Sequence, residues 1–388
     1  YCGGCKWQFL PYETQLEHKR KHVIESLAHI AFLEEIPVHP TIPSPRVFGY
    51  RNKMEFSCSD RRWLLPEEMG REDIDTGFAL GLHVPGTFHK VLDIESCLLP
   101  AEEANLILRD VRTFMKNSSA PVYGLRSHEG FWRFLMLRQS VSRNQWLVNI
   151  ITAYEDREAV LPLAELLMEK YPRIVSVVNN ITSRKAGIAV GEYEIPVLGK
   201  QYLIDAVGPY QYEISANSFF QTNTPGAEKL YETVAEYAGL SGDETVVDLY
   251  SGTGTIAIYL AHRAGEVIGM EIVESAIKDA EKNCRINEVY NCRFVPGDIR
   301  NSLEEMDISP NVMIIDPPRD GMHKNVVRRV LEIAPERIVY VSCNPSTLAR
   351  DLKMMEEVYE VREVQPVDMF PHTFHIECAA RLEKKKKN

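Results

Sequence analysis

From about residue 217 the chain alternates short apolar strands with amphipathic helices, and this alternation limits the possible folds more than any other feature. A helix predicted over 225–238 precedes a strand over 245–249. There follow a helix over 255–263, a strand over 265–270, a helix over 274–286, strands over 292–295 and 311–315, a helix over 323–334 and a strand over 337–341. Such alternation implies α/β architecture: a Rossmann-like, doubly wound parallel sheet, whose ligands bind beyond the carboxyl ends of the strands. The loop Gly252-Thr253-Gly254 and the side chains of Glu271, Asp298, Asp316 and Cys343 all fall at such ends.

The first half reads differently. Residues 12–34 carry Leu16, Val23, Ile24, Leu27, Ile30 and Ala31 at helical spacing, and Pro37, Pro40, Pro43 and Pro45 follow as an extended linker. From 47 to 204 the pattern is mainly β, with strands over 54–58, 78–83, 134–140, 146–152, 174–179 and 202–207 and helices over 102–115 and 158–171. An α+β domain over 1–212 and a catalytic domain over 213–388 are therefore expected. At 45% hydrophobic and 26% charged residues, the chain has the composition of an ordinary soluble globular protein. It shows neither a membrane-length apolar run nor a signal peptide, and a cytoplasmic protein is expected. A net charge of −11 argues against a protein that coats nucleic acid, while leaving room for a local basic groove. The basic run from Lys384 to Lys387 reads as a solvated tail.

Gly252-Thr253-Gly254 follows a strand and opens a helix, so a ligand can approach the backbone closely. Glu271, at the end of the next strand, can accept hydrogen bonds from both hydroxyls of a ribose. These residues suit S-adenosylmethionine and NAD alike, and a bare strand-to-helix turn would also produce them. Asp316-Pro317-Pro318-Arg319 favours the former: nicotinamide chemistry has no general use for a rigid acidic loop here, whereas methyltransferases that act on nucleobases often carry one.

Ser342-Cys343-Asn344-Pro345 aims a thiol out of the tip of a strand. Together with Ser218-Phe219-Phe220-Gln221-Thr222-Asn223, the Asp248 loop, the Asp316 loop and Pro371-His372-Thr373-Phe374-His375-Ile376-Glu377, it resembles the S-adenosylmethionine-dependent RNA uracil-5 methyltransferases over nearly the whole chain. The resemblance implies Cys343 as the nucleophile that adds to uracil C6 and Glu377 as the base that removes the C5 proton. Cysteine suits such a role because it both attacks and leaves well. The resemblance also implies Gln221, Tyr250, Glu271 and Asp316 as cofactor contacts beside Gly252 and Gly254, with Thr255 and Asp298 as further candidates. Ser251 and Thr255 stand where some members carry Cys and Asn. His372 and His375 have metal-ligand spacing, but loop packing around Glu377 explains them better.

Eight cysteines in a chain of this length do not make a secreted disulfide scaffold. Cys2-Gly3-Gly4-Cys5 with Cys97 gives three thiols; the resemblance, to the iron–sulfur branch that acts on 23S rRNA, implies a [4Fe–4S] cluster whose fourth ligand lies upstream of Tyr1. Zinc and unconnected thiols are the alternatives. The chain opens in the middle of this motif, so a longer natural protein, with the family's N-terminal RNA-binding barrel, is expected. Basic and aromatic residues interleave at Tyr50-Arg51-Asn52-Lys53, at Arg61-Arg62-Trp63 and at Arg126, Arg133 and Arg138. The resemblance favours Arg51 and Lys53, and then Arg133, as RNA contacts. The expected protein is a monomer that makes 5-methyluridine, in ribosomal RNA before transfer RNA. A dinucleotide-dependent oxidoreductase and a non-catalytic RNA-binding factor are the rivals.

Overall fold

The computed structural model describes residues 1–185, 187–304 and 309–386; Lys387 of the basic tail lies outside them. The chain begins with helix α1 (Tyr12–Ser26), which continues into a π-helical turn over Leu27–Ala31. Two compact units follow from the internal contacts. One comprises Tyr1–Cys5, Phe48–Ala206 and Ile214–Asn217; the other comprises Lys6–Val47, Val207–Glu213 and Ser218–Asn388.

The first unit is α+β. Its strands are β1 (Lys53–Ser59), β2 (Ala79–His83), β3 (Val91–Asp93), β4 (Trp132–Ser140), β5 (Gln145–Thr152), β6 (Ile174–Ile181) and β7 (Tyr193–Gly199). They form one sheet in the order β3-β2-β1-β4-β5-β6-β7, antiparallel except for the β5–β6 pair. Helices α2 (Glu102–Asn117) and α3 (Arg157–Lys170) supply Ile107, Leu108, Val111, Leu163 and Leu167 to a core shared with Leu135, Leu137, Trp146 and Val148. The alternate residues Phe134, Met136, Leu147 and Ile151 enter a second cluster on the opposite face, as the two-residue period of a strand requires. Strands β8 (Tyr202–Val207) and β9 (Tyr210–Ser215) form a separate two-stranded sheet.

The second unit contains α4 (Thr224–Ala238), β10 (Thr245–Leu249), α5 (Thr255–Ala261), β11 (Glu266–Glu271), α6 (Glu274–Ile286), β12 (Cys292–Pro296), α7 (Ile299–Ser302) and β13 (Val312–Ile315). It continues through α8 (Lys324–Ile333), β14 (Arg337–Ser342), α9 (Pro345–Met355), β15 (Tyr359–Val367) and β16 (Glu377–Lys384). The sheet order is β12-β11-β10-β13-β14-β16-β15. The first five strands run parallel, and β16 is antiparallel to both of its neighbours. Strand order reverses between β10 and β13, and a doubly wound sheet opens its ligand crevice at such a point. The expected parallel sheet is thus present.

The expected change of unit at 212/213 falls within the segment 207–217 where the two units alternate, and the division differs from the expected one over residues 6–47. Residues 6–47 belong with the parallel sheet, because α1 and the π turn bury Val23, Leu27 and Ala31 in the same core as Leu348, Leu352 and Val364. The proline-rich stretch is not a free linker: Val38 and Ile42 form parallel bridges to Val364 and Val367 on β15. The sheet edge formed by β15 and β16 had no counterpart among the strands read from the sequence. Among the described residues no helix is long and apolar enough to cross a membrane.

Candidate active site

The β14–β16 register brings the two expected catalytic residues together. The ladder ends with Ser342 paired to Cys378, Cys343 and Glu377 are the adjoining residues, and the Glu377 charge acts on the Cys343 thiol. The turn after β14 is held tightly. Ser342 Oγ accepts the Asn344 N–H at 3.1 Å and donates to the Asn344 carbonyl at 3.0 Å. Asn344 caps α9 by accepting the Ser346 N–H, and its side-chain amide donates to the Arg319 carbonyl at 3.1 Å. Thr347 Oγ1 donates to the same carbonyl. The Asn-Pro-Ser-Thr stretch therefore ties the nucleophile's turn to the Asp-Pro-Pro-Arg loop. Asp351, buried on α9, accepts from the Tyr340 hydroxyl at 2.6 Å and from the Met322 N–H at 2.8 Å, which locks helix, strand and loop together. A cavity of about 210 Å³ opens over Cys343, lined also by Arg319, Asn344, Phe374, His375 and His22.

Charge in this cleft is predominantly negative. Burial, then the Glu377 carboxylate and Asp316, push the half-buried Cys343 thiol up to about 11, while Arg319 pulls it down. Glu377 is buried and held well above the ordinary carboxylate range, first by desolvation and then by Asp316, with Arg319 opposing. Burial raises Asp316 to about 6. Asp248 lies deeper; burial and the Asp316 charge raise it far above its usual value against the pull of the Ala257 N–H. Arg319 is thus the cation that favours the ionised form of both Cys343 and Glu377. Sequence reading quoted it within the Asp-Pro-Pro-Arg motif without assigning it a role; its place directly after the two prolines was the available signal.

The cofactor side fits an adenosine-type ligand. Tyr250, Gly252 and Gly254 all have left-handed backbone, with φ of 63°, 55° and 74°. Tyr250 is the non-glycine member, and such conformations gather where a loop is shaped for a ligand. A Cβ on Gly252 would meet nothing within 4 Å, so the space beside it is open. Glu271 accepts the Gly252 N–H at 3.0 Å and the Val273 N–H at 2.9 Å, which fixes its carboxylate at the mouth of the loop. A cavity of about 220 Å³ runs past Tyr250, Glu271, Ile272, Asp298 and Pro318. Among the described residues, the buried hydroxyl oxygens of Thr222 and Ser251 have no hydrogen-bond partner. Asp298 caps α7 and pairs with Arg300, which holds it down to about 2. Thr255 is turned toward Tyr231, with 3.0 Å between the hydroxyls. Gln221 is half-buried in the segment leading to α4.

The loop before Glu377 packs against α1. Gln15 Oε1 accepts the His372 N–H at 2.8 Å, and Lys19 Nζ donates to the Asp368 carboxylate at 2.6 Å and to the Phe370 carbonyl at 3.0 Å. His375 stacks at 4.2 Å from Phe374. Both histidines thus pack within this loop.

Cys2, Cys5 and Cys97 share one neighbourhood in the first unit. Burial and the charges of Cys97 and Cys2 push Cys5 up to about 11, and Arg51 opposes them. Yet no group of three or more His, Cys, Asp or Glu among the described residues stands in metal-holding geometry. Three thiols are gathered but do not form a metal-holding group, so no step below runs through iron. Arg51 donates to the Lys53 carbonyl, and Lys53 pairs with Glu55 at 2.7 Å. Arg133 departs from the expected RNA contact. It is 2% exposed, lies 4.3 Å from the centre of the Tyr123 ring and donates to the Thr182 carbonyl at 2.7 Å. Its guanidinium is held inside the unit by that carbonyl and that ring.

Comparison with known proteins places this geometry. The sequence profile of the family described as tRNA (Uracil-5-)-methyltransferase matches residues 195–385. An uncharacterised RNA methyltransferase of Chlorobaculum tepidum is 44% identical over 99% of this chain and 81% of its own length. One from Bacteroides thetaiotaomicron is 41% identical over 98% and 86%. Among solved structures, the tRNA (uracil-54, C5)-methyltransferase of Pyrococcus abyssi, in complex with S-adenosyl-L-homocysteine, superposes with a TM-score of 0.77 at 31% identity, over 98% of this chain and 86% of that one.

Proposed function

We propose, for a chain that belongs to the tRNA (uracil-5-)-methyltransferase family, that the parallel-sheet unit methylates C5 of a uracil in RNA through a covalent bond to Cys343. The observation that carries this reading is the placing of Cys343 and Glu377 beside the Ser342–Cys378 pair that ends the β14–β16 ladder, with Asp316 and Arg319 acting on both. S-adenosylmethionine, when bound, supplies an electrophilic methyl group, and Tyr250, Gly252, Gly254, Glu271, Asp316 and Gln221 would hold it.

The chain's own residues do the rest. The Cys343 thiol must first lose its proton to solvent, which Arg319 favours against the opposing charges of Glu377 and Asp316. Attack of the sulfur on C6 breaks the C5–C6 π bond and places the electron pair on C5, conjugated with the C4 carbonyl. C5 then takes the methyl group. Ionised Glu377 removes the C5 proton, the double bond re-forms, the C6–S bond breaks, and Cys343 leaves as thiolate. A carboxylate whose pKa is raised by burial is the stronger base for that step. Because Cys343 is only half exposed, the uracil has to leave its stack to reach it.

The finer reading is a monomer acting on ribosomal RNA, supported by the three gathered thiols and their likeness to the iron–sulfur branch. Cys2, Cys5 and Cys97 would hold the [4Fe–4S] cluster, and iron analysis of anaerobically purified protein tests it. Transfer RNA is the second reading, favoured by the Pyrococcus protein's own substrate. The test is incubation with deuteromethyl-labelled S-adenosylmethionine and either 23S rRNA or tRNA transcripts, then nucleoside mass spectrometry. Labelled 5-methyluridine is expected. Label on another atom, or none with either RNA, would overturn the assignment.

A further inference from the structure

The first unit has a cavity of about 350 Å³ that no step above uses. Arg61, Arg62, Trp63, His89, Lys90 and Arg126 line it, with Asp60 as its acidic member. Three separate stretches build it, and each is fixed by backbone bonds. After β1, Ser59 Oγ accepts the Arg61 N–H at 3.2 Å, and the Arg62 and Trp63 N–H groups donate to the Thr76 and Val91 carbonyls. In the β2–β3 hairpin the Val84 N–H donates to the Lys90 carbonyl at 3.0 Å. In the third stretch the Gly124 N–H donates to the Glu129 carbonyl at 2.8 Å, and Gly130, at φ 119°, passes so close to Val122 that a Cβ would meet its carbonyl at 2.3 Å.

The cations divide into two kinds. Arg62 is structural: its Nε donates to the Asp75 carbonyl, and its guanidinium pairs with Glu68 at 2.5 Å. Arg61, Lys90 and Arg126 are exposed, and none makes an ion pair among the described residues. In a chain of net charge −11, three cations without ion pairs against the one carboxylate of Asp60 leave this hollow net positive, a local anion site. The rings add a second character. Trp63 is half-buried, with the exposed Tyr1 ring 5.5 Å away, and His89 packs edge-on to the exposed Phe88 at 5.0 Å. His89 Nδ1 is buried and has no hydrogen-bond partner among the described residues. A bare anion would use the cations and ignore the rings. A duplex presents stacked bases that could not enter a hollow. Phosphate-binding cations, a ring face and an unused ring nitrogen together suit one unstacked nucleotide, and the volume falls within the range of about 300–1,000 Å³ usual for small-ligand pockets.

The geometry points to a nucleotide pocket on the α+β unit that seats one unstacked residue of the RNA substrate, other than the uracil that is methylated. The inference rests on the reading of this protein as an RNA methyltransferase. The full chain is titrated into a fluorescein-labelled single-stranded oligouridine and followed by anisotropy at several salt concentrations. Trp63→Ala should weaken binding about ten-fold, the loss expected for one stacked base. Arg61→Gln with Arg126→Gln should weaken it and flatten the slope of log affinity against log salt by about 1.4, or 0.7 for each contact to a single strand. Arg328→Gln, on the exposed face of α8, should do neither. The two arginines are exposed, so that double variant decides the matter if Trp63→Ala fails to fold. Unchanged affinity and slope in the arginine variant, with wild type binding RNA, overturn the pocket alone. Uridine monophosphate binding as tightly as the oligonucleotide would make it a free-nucleotide site and overturn the RNA assignment. Wild type that binds no RNA at low salt would overturn the reading on which the pocket rests.

Discussion

At Cys343 the opposing charges set the chemistry. A thiol held near 11 is almost wholly protonated at neutral pH, so Cys343, followed by peptide mass spectrometry in the free protein, should alkylate slowly with iodoacetamide and speed up only toward alkaline pH. Arg319→Gln removes the cation that favours the thiolate; the alkylation midpoint should rise further, and kcat/KM should fall by about 10²-fold, as for loss of one stabilising charge in a buried site. An unchanged midpoint would remove Arg319 from the account. Glu377 makes a prediction of the opposite kind. Its folded pKa lies above its ordinary value of 4.5, so the fold binds more protons than the unfolded chain, and stability falls as pH rises from 4.5 toward the raised value. Glu377→Gln should therefore melt higher than wild type at neutral pH, with the difference vanishing below pH 4.5, while turnover falls by about 10²–10⁴-fold. A variant no more stable than wild type at neutral pH would contradict the burial argument.

At the scale of elements, α1 positions the loop that carries Glu377. Lys19 and Asp368 are both fully buried in their ion pair. Lys19→Met leaves the Asp368 charge without its partner and should cost about 3–5 kcal/mol, read from denaturant unfolding. Gly254→Ala should be costly as well: φ is 74°, and the new methyl would meet the Phe294 ring at 2.7 Å. About 1–3 kcal/mol is expected, together with weaker S-adenosylmethionine binding by calorimetry. The same elements show what a sequence discloses. Strands such as Val312–Ile315 are buried on both faces and read as unbroken apolar runs. Strand β15 alternates Val361 and Val364 with Glu360, Arg362 and Glu363 and ends through Pro366, so its pattern is that of a charged, exposed edge. The buried face of α1 includes Gln15 and Lys19, which apolar periodicity cannot assign to a core, and its place in the parallel-sheet unit was missed for that reason. The burial of Arg133 was hidden in the same manner, since a cation held by a carbonyl and a ring looks on paper like a surface contact. The motif residues were legible because few side chains could replace them in the roles proposed: a thiol to attack, a carboxylate to take a proton, and glycines to turn with positive φ.

Across the whole molecule, residues 6–47 bear on the parallel-sheet unit although they precede most of the α+β one. Val23, Leu27, Ala31 and Val38 belong to the core around β13 and β14. Deleting residues 1–47 should abolish the calorimetric transition of the parallel-sheet unit, and with it S-adenosylmethionine binding; retention of both would contradict the assignment of this segment. The central claim is a covalent bond between Cys343 and a uracil. Its most direct test replaces uridine by 5-fluorouridine in ribosomal and transfer RNA transcripts, because fluorine cannot be removed as a proton and the adduct cannot resolve. After incubation with S-adenosylmethionine, a denaturing gel should show a protein–RNA band that mass spectrometry maps to Cys343 and that Cys343→Ala abolishes. No such band, from protein shown to bind both the RNA and S-adenosylmethionine, would contradict the mechanism.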